Sequence, residues 1–239
     1  MKPIYVPSGK AKEYGDYALN IYTGCPHECF YCFAPSVLRR DREQFHTVVE
    51  PRKDIVEETR RQIERENITG KLIHLCFTCD PYPCGYDTTP TRNIIALLKG
   101  SGNNVQILTK SAEMRDFDLL TSDDWYGVTI DGCNESGHNE KSATPLSRYM
   151  ALNEAHRKGI KTWVSFEPVI NAENVLKTIK SIAHFIDKVK IGKLNYHPSD
   201  INWADFGRKA ESLCQQLGID YYIKDSLRKE MEGVNNEHL

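Results

Sequence analysis

The chain has 239 residues, 40% hydrophobic and 27% charged, with 31 Lys and Arg against 33 Asp and Glu. That is the composition of an ordinary globular domain, long enough to bury roughly 70% of its unfolded surface without disulfide staples. A formal net charge of −2 excludes a non-specific polyanion binder held by electrostatics, although a local basic patch stays open. The longest apolar runs, Phe30–Ala34 and Ile94–Leu98, are far short of the about 18 residues a bilayer span needs. The opening MKPIYVPSGKAKEY carries no apolar signal core. A cytoplasmic protein without a membrane partner is expected.

In chain order, strands are predicted at Tyr17–Tyr22, Leu72–Thr78, Val105–Thr109, Tyr126–Ile130, Thr162–Glu167, Lys188–Gly192 and Tyr221–Lys224. Helical stripes alternate with them. Ile55, Val56, Thr59 and Ile63 form the first, with Glu57/Arg61 and Arg60/Glu64 as i,i+4 pairs on other faces. Thr89 followed by Pro90 reads as an N-cap with proline at the first helical position. Val175, Ile179, Ile182 and Ile186 form another stripe, and Trp203, Phe206, Ala210, Leu213 and Leu217 a third. Strands separated by single helices imply a parallel α/β fold, either a barrel or a doubly wound sheet.

Alternate strand residues face opposite sides. Ile73, Leu75 and Phe77 share one face, and His74, Cys76, Thr78 and Asp80 the other. Gly127, Thr129 and Asp131 sort together, as do Trp163, Ser165 and Glu167, and Tyr222 with Lys224. If the apolar faces meet helices, the interior is polar and must be wet or hold a ligand, because buried unpaired polar groups cost ~1–3 kcal/mol each.

After the first strand comes NIYTGCPHECFYCFA, from Asn20, with Cys25, Cys29 and Cys32 spaced C-x3-C-x2-C. Three thiolates in one loop suit three irons of a [4Fe–4S] cluster and leave the fourth without a protein thiolate. An open position is where a metal centre does chemistry.

This motif, with Tyr31 before the third cysteine, resembles the radical S-adenosylmethionine superfamily, in the branch related to spore photoproduct lyase and phage-associated relatives. Asp80-Pro81-Tyr82, Thr109-Lys110-Ser111 and Arg115-Asp116 extend the resemblance over roughly residues 15 to 225. It implies one domain over 1–239, with a core of about 15–200 and an extension from 201 to 239. The implied fold is a partial (β/α)6-type parallel barrel with a short C-terminal βα extension. It further implies a radical SAM enzyme of lyase or transferase type. In such an enzyme the cluster at Cys25, Cys29 and Cys32 reductively cleaves S-adenosyl-L-methionine to a 5′-deoxyadenosyl radical that takes hydrogen from a substrate. By the same resemblance Thr78 and Asp80 hold the methionyl amino group, Lys110 and Ser111 make carboxylate and ribose contacts, Tyr31 lies against adenine, and Arg148 is a further carboxylate partner. Where relatives carry Glu-Pro upstream of that arginine, this chain has Glu140-Lys141. The expected partners are a flavodoxin- or ferredoxin-like one-electron reductant and a substrate for which nucleic acid or a nucleotide is one candidate.

Glu167, Asn195 and Lys224 stand at later strand ends, on the expected substrate side, and Cys84 is a candidate hydrogen donor. Alternatives stay open at several positions. The cysteine loop would also suit a structural zinc, with His27 or a distant cysteine as fourth ligand, or a cluster used only for electron transfer. Cys76, Cys79 and Cys84 read as core or pocket residues or as a second cluster, which requires the strand to break before Cys79. His74 is a core histidine or a substrate ligand. Arg39, Arg40 and Arg42 form a solvated face or attract phosphates.

Overall fold

The seven expected parallel strands form the wall of the molecule, which a computed structural model describes over residues 2–133 and 141–233. They follow a short strand, β1 (Ile4–Tyr5), and are β2 (Tyr17–Leu19), β3 (Leu72–Leu75), β4 (Asn104–Thr109), β5 (Trp125–Thr129), β6 (Lys161–Phe166), β7 (Lys188–Ile191) and β8 (Asp220–Ile223). From β2 onward each strand pairs in parallel with its sequence neighbour, so the order is strictly sequential. A doubly wound sheet needs a point where the order reverses, and none occurs here. The order is that of a barrel wall open between β8 and β1. Strand β1 pairs antiparallel with β2, making the sheet mixed; at two residues it offers no alternation for a sequence reading to find.

The helices are α1 (Ala34–Leu38), α2 (Arg42–Thr47), α3 (Ile55–Glu66), α4 (Thr89–Gly100), α5 (Pro145–Arg157), α6 (Ala172–Ile182), α7 (Trp203–Leu217) and α8 (Asp225–Met231). Ile73, Leu75, Val105, Ile107, Val128, Val164, Val189 and Ile191 meet Ile94, Leu98, Ala151, Val175, Ile179, Phe206 and Ala210 in one core. Full burial of such side chains stabilises the fold by roughly 1.5–3 kcal/mol each, which fixes the polar faces of the strands inward. Two local expectations shift. Helix α4 begins at Thr89 itself, with Thr88 as cap residue and the Thr89 N–H on Asp87 Oδ1 at 2.9 Å. On α3, Arg61 pairs with Glu57 at 2.9 Å as expected, but Arg60 turns back to Glu57 instead of Glu64. None of the helices among the described residues is long and apolar enough to cross a membrane.

Strand β3 stops at Leu75 because Cys76 takes a left-handed φ of 69°. Asn20, just past β2, clips the break: its Oδ1 accepts the N–H groups of Phe77 (2.8 Å) and Thr78 (3.0 Å). The expected alternation is therefore reset. Cys76 joins the apolar core, while Phe77 swings inward and stacks on His74 at 4.2 Å and 20°.

The interior is polar, and the chain fills part of it itself. A 3-10 turn, Gly9–Glu13, leads Tyr14 into the barrel against His74, Phe77 and Trp163. The Trp163 indole lies over Gly127, where a Cβ would come within 2.2 Å of it, and donates to the Ile107 carbonyl at 2.9 Å. Glu13 accepts the Asp225 N–H at 2.9 Å and pairs with Lys224, so the N-terminal segment bridges toward the β8 edge.

Candidate functional site

The cysteine loop leaves β2 at the carboxyl end of the sheet, where parallel α/β folds place their ligands. Cys29 is buried, and Cys25 and Cys32 are half-buried. The Cys32 N–H bonds the Cys29 carbonyl at 2.9 Å, and His27 and Ala34 donate backbone N–H groups to the thiols of Cys25 and Cys32. His27 is buried, with Nδ1 3.5 Å from Asp80 Oδ2 and Nε2 accepting the Cys84 N–H at 3.4 Å. Both ring nitrogens are thus engaged, which argues against His27 as the fourth ligand of a zinc clip. Burial lowers its pKa, so it stays neutral.

Asp80 knits the neighbouring strand ends together. Its Oδ1 accepts the Tyr82 N–H (2.8 Å) and Thr109 Oγ1–H (2.6 Å), and its Oδ2 accepts the Lys110 N–H (2.8 Å). Lys110 Nζ donates to the Tyr31 hydroxyl at 2.6 Å, and that hydroxyl donates to Asp131 Oδ2 at 2.9 Å. Burial lowers the Lys110 pKa; Asp131 is held low, against its own burial, by Lys110 and by the N–H of Cys133. Asp131 was absent from the expected site residues, although its inward parity with Gly127 and Thr129 marked it.

Thr78 Oγ1 is buried and has no partner among the described residues, two positions before Asp80, whose carboxylate accepts three hydrogen bonds. Cys84 Sγ lies 3.8 Å from Ser111 Oγ on the same rim. Arg148 is buried, and its guanidinium goes to the carbonyls of Ala143 (3.0 Å) and Thr129 (2.7 Å) and to Ser142 Oγ (2.7 Å). Glu140 lies outside the described residues, as do 234–239 of the expected extension. Asp80, Cys84, Lys110 and Ser111, past the ends of β3 and β4, and Arg148 on α5 are thus gathered around the cysteine loop that carries Tyr31, while Thr78 follows β3 with its N–H on Asn20.

Glu167 and Lys224 are brought together elsewhere, toward β6 and β8. Lys224 Nζ is 2.9 Å from both Glu13 and Glu167, and the Tyr14 hydroxyl donates to Glu167 at 2.7 Å. Lys190 Nζ donates to the Glu13 carbonyl at 2.7 Å and stands 4.6 Å from the Tyr14 ring centre. Glu13 and Tyr14 went unread because a five-residue turn carries no periodic signal, whereas Lys190 lies on the expected strand β7 but was not singled out. Neither ring nitrogen of His74 has a partner among the described residues, and burial pushes its pKa down to about 3. Asn195 pairs with Lys10 at 3.0 Å.

The second cysteine group does not assemble as three. Cys76 and Cys79 are joined by a thiol hydrogen bond, while Cys84 sits with Ser111 and His27. In the arginine run Arg39 and Arg42 are exposed, as a solvated face would have them, while Arg40 donates to the Thr23 carbonyl and Arg42 to three carbonyls of the cysteine loop.

Among the described residues, no three Cys, His, Asp or Glu side chains converge on one metal point. The donor chemistry of the loop still fits a cluster. Burial pushes all three thiols up, Cys32 to about 11, and mutual repulsion adds to this at Cys25 and Cys32. Thiolates in such a place need a cation to neutralise them, and metal binding supplies it while releasing their protons.

By sequence the chain is similar to an uncharacterized protein of Methanocaldococcus jannaschii, 28% identical over 199 residues (77% of this chain, 71% of that one). An uncharacterized protein of Acidianus two-tailed virus is 27% identical over 209 residues (78% and 67%). The fold matches a spore photoproduct lyase mutant with bound AdoMet and dinucleoside spore photoproduct, at a TM-score of 0.68 and 12% identity, over 92% of this chain and 79% of that one. A sequential α/β sheet with a cysteine loop beyond its first parallel strand is the class that fold and site define. The profile of the Radical SAM superfamily matches residues 19–186, and the chain belongs to that superfamily, with structural kinship to its spore-photoproduct-lyase-like members.

Proposed function

We propose that the protein is a radical SAM enzyme in which Cys25, Cys29 and Cys32 hold a [4Fe–4S] cluster, with S-adenosyl-L-methionine at its fourth iron. The observation that carries this reading is the gathering of Asp80, Lys110, Tyr31, Ser111 and Arg148 around the three-cysteine loop. When bound, the cluster and its cofactor supply one-electron reductive cleavage and hydrogen abstraction. Lys110 presents an ammonium suited to a carboxylate. Thr78 Oγ1 offers an unused acceptor for an ammonium group, whereas Asp80 fixes the turn that presents it. Tyr31 carries the hydrogen bonds that hold Lys110 and Asp131 in line. The electron comes from a reductant of flavodoxin or ferredoxin class. Glu167 and Lys224 serve the substrate side, and a nucleic acid or nucleotide substrate is supported by the dinucleoside in the structural relative.

The test is anaerobic reconstitution with iron and sulfide, reduction with dithionite, and addition of S-adenosyl-L-methionine. A resonance signal that shifts on adding the cofactor, with 5′-deoxyadenosine formed, is expected, and both vanish in Cys29→Ala. One tightly held zinc and no cluster in the wild type would overturn the reading.

A further inference from the structure

Helix α2 is short, yet it grips the cysteine loop at both ends. Arg42 Nη2 donates to the carbonyls of Cys29 (2.5 Å) and Phe30 (3.0 Å), and Nη1 to that of Cys32 (3.2 Å). One turn later, His46 Nδ1 lies 2.7 Å from the Cys25 carbonyl. That oxygen only accepts, so Nδ1 carries the proton. His46 is buried, and its Nε2 has no partner among the described residues, so the bond to Cys25 is what this histidine offers the loop. Spaced i,i+4, Arg42 and His46 share one face of the helix. Between them the Phe45 carbonyl accepts the Cys25 N–H at 3.2 Å. Gly24 makes the approach possible: a Cβ there would stand 2.3 Å from the Phe45 carbonyl oxygen and 2.5 Å from that of Val48.

We infer that α2 is the seat of the cysteine loop, with Arg42 and His46 as positioning residues that hold the backbone at Cys25, Cys29, Phe30 and Cys32, and with the Arg42 charge favouring the reduced state of a cluster bound there. This rests on the reading of those cysteines as cluster ligands. A guanidinium remains charged at any working pH, and its planar fork serves several acceptors at once, which an ammonium cannot do with the same geometry. Because trans peptides set C=O and N–H in opposite directions, carbonyls drawn to Arg42 also fix where the following N–H groups point. A cluster held by these cysteines would gain one negative charge on reduction, and the Arg42 guanidinium near Cys32 would favour that state.

The experiment uses wild type, Arg42→Gln and Arg42→Lys, each checked for an unchanged melting temperature. In the metal-free chains, iodoacetamide labelling of Cys25, Cys29 and Cys32 is followed by mass spectrometry. Both variants are expected to label about tenfold faster, since both lose the fork and the loop opens locally. After reconstitution, the ratio of reduced to oxidised cluster is read at one fixed solution potential. It is expected to fall about tenfold in Arg42→Gln, about 59 mV for one electron, and to stay near wild type in Arg42→Lys. Wild-type labelling rates together with a wild-type redox ratio in Arg42→Gln would overturn the inference. Wild-type chain that takes up no iron defeats the cluster reading instead, and the metal-free labelling then decides the seat by itself.

Discussion

Lys110 Nζ stands 2.6 Å from the Tyr31 hydroxyl and 5.0 Å from the centre of the Tyr31 ring, joining the cysteine loop to the end of β4. The hydroxyl passes the contact on to Asp131. Lys110→Met removes the ammonium that the proposed carboxylate contact needs. Charge-assisted hydrogen bonds contribute about 1.5–3 kcal/mol, so binding of radiolabelled S-adenosyl-L-methionine to the reconstituted protein should weaken about 10- to 100-fold. Tyr31→Phe keeps the ring and the lysine but breaks the bridge to Asp131, and should cost less. Equal affinity in Lys110→Met and wild type would remove Lys110 from the cofactor site.

Asp80 presents a different test, because its carboxylate is consumed by the fold. Three donors converge on it, and Asn has a single acceptor oxygen for them. Asp80→Asn therefore leaves at least one buried donor unpaired, at about 1–3 kcal/mol. In a domain of this size that is a fall in melting temperature of about 2–12 °C, measured on metal-free protein. A variant that melts with the wild type would free Asp80 for a ligand role.

The parallel wall was legible because the strands after the first carry apolar residues at period two and helical stripes stand between several of them, although only a 3-10 turn, Arg115–Leu119, joins β4 to β5. The cysteine loop was legible from spacing alone. What escaped reading has no period: β1 is two residues long, and Glu13 reaches Lys224 from the far end of the chain. Phe77 was assigned to the helix side because nothing in the sequence announces a left-handed Cys76. Arg42 looked like one charge in a basic run. Its partners are backbone carbonyls, to which residue patterns are blind.

Lys190 gives the interior a pH signature. Burial, with the like charges of Lys224 and Lys188, pushes its pKa down from 10.5 to about 7. Between those values the unfolded chain binds more protons than the folded one, so this lysine makes stability rise as pH increases from about 7 to about 10.5. Urea midpoints at pH 6.5 and 9.5 should therefore separate more in wild type than in Lys190→Met. An identical separation in the two proteins would mean that Lys190 stays charged inside the barrel.

Cys79 and Cys76 should differ sharply toward an alkylating reagent. Burial works against a thiolate at Cys79, yet the thiol of Cys76, the N–H of Tyr22 and the charge of Arg52 together hold its pKa below the ordinary 9.0. Cys76, which donates that hydrogen bond from the apolar core, is pushed the other way, chiefly by burial. The thiolate is the reactive form, so at pH 8 iodoacetamide should label Cys79 well before Cys76. Cys76→Ala deletes the donor, and the pH midpoint for labelling Cys79 should move upward. If the midpoint stays put, the backbone N–H and Arg52 hold the thiolate without help, and the pairing of the two cysteines at the β3 break has no electrostatic consequence.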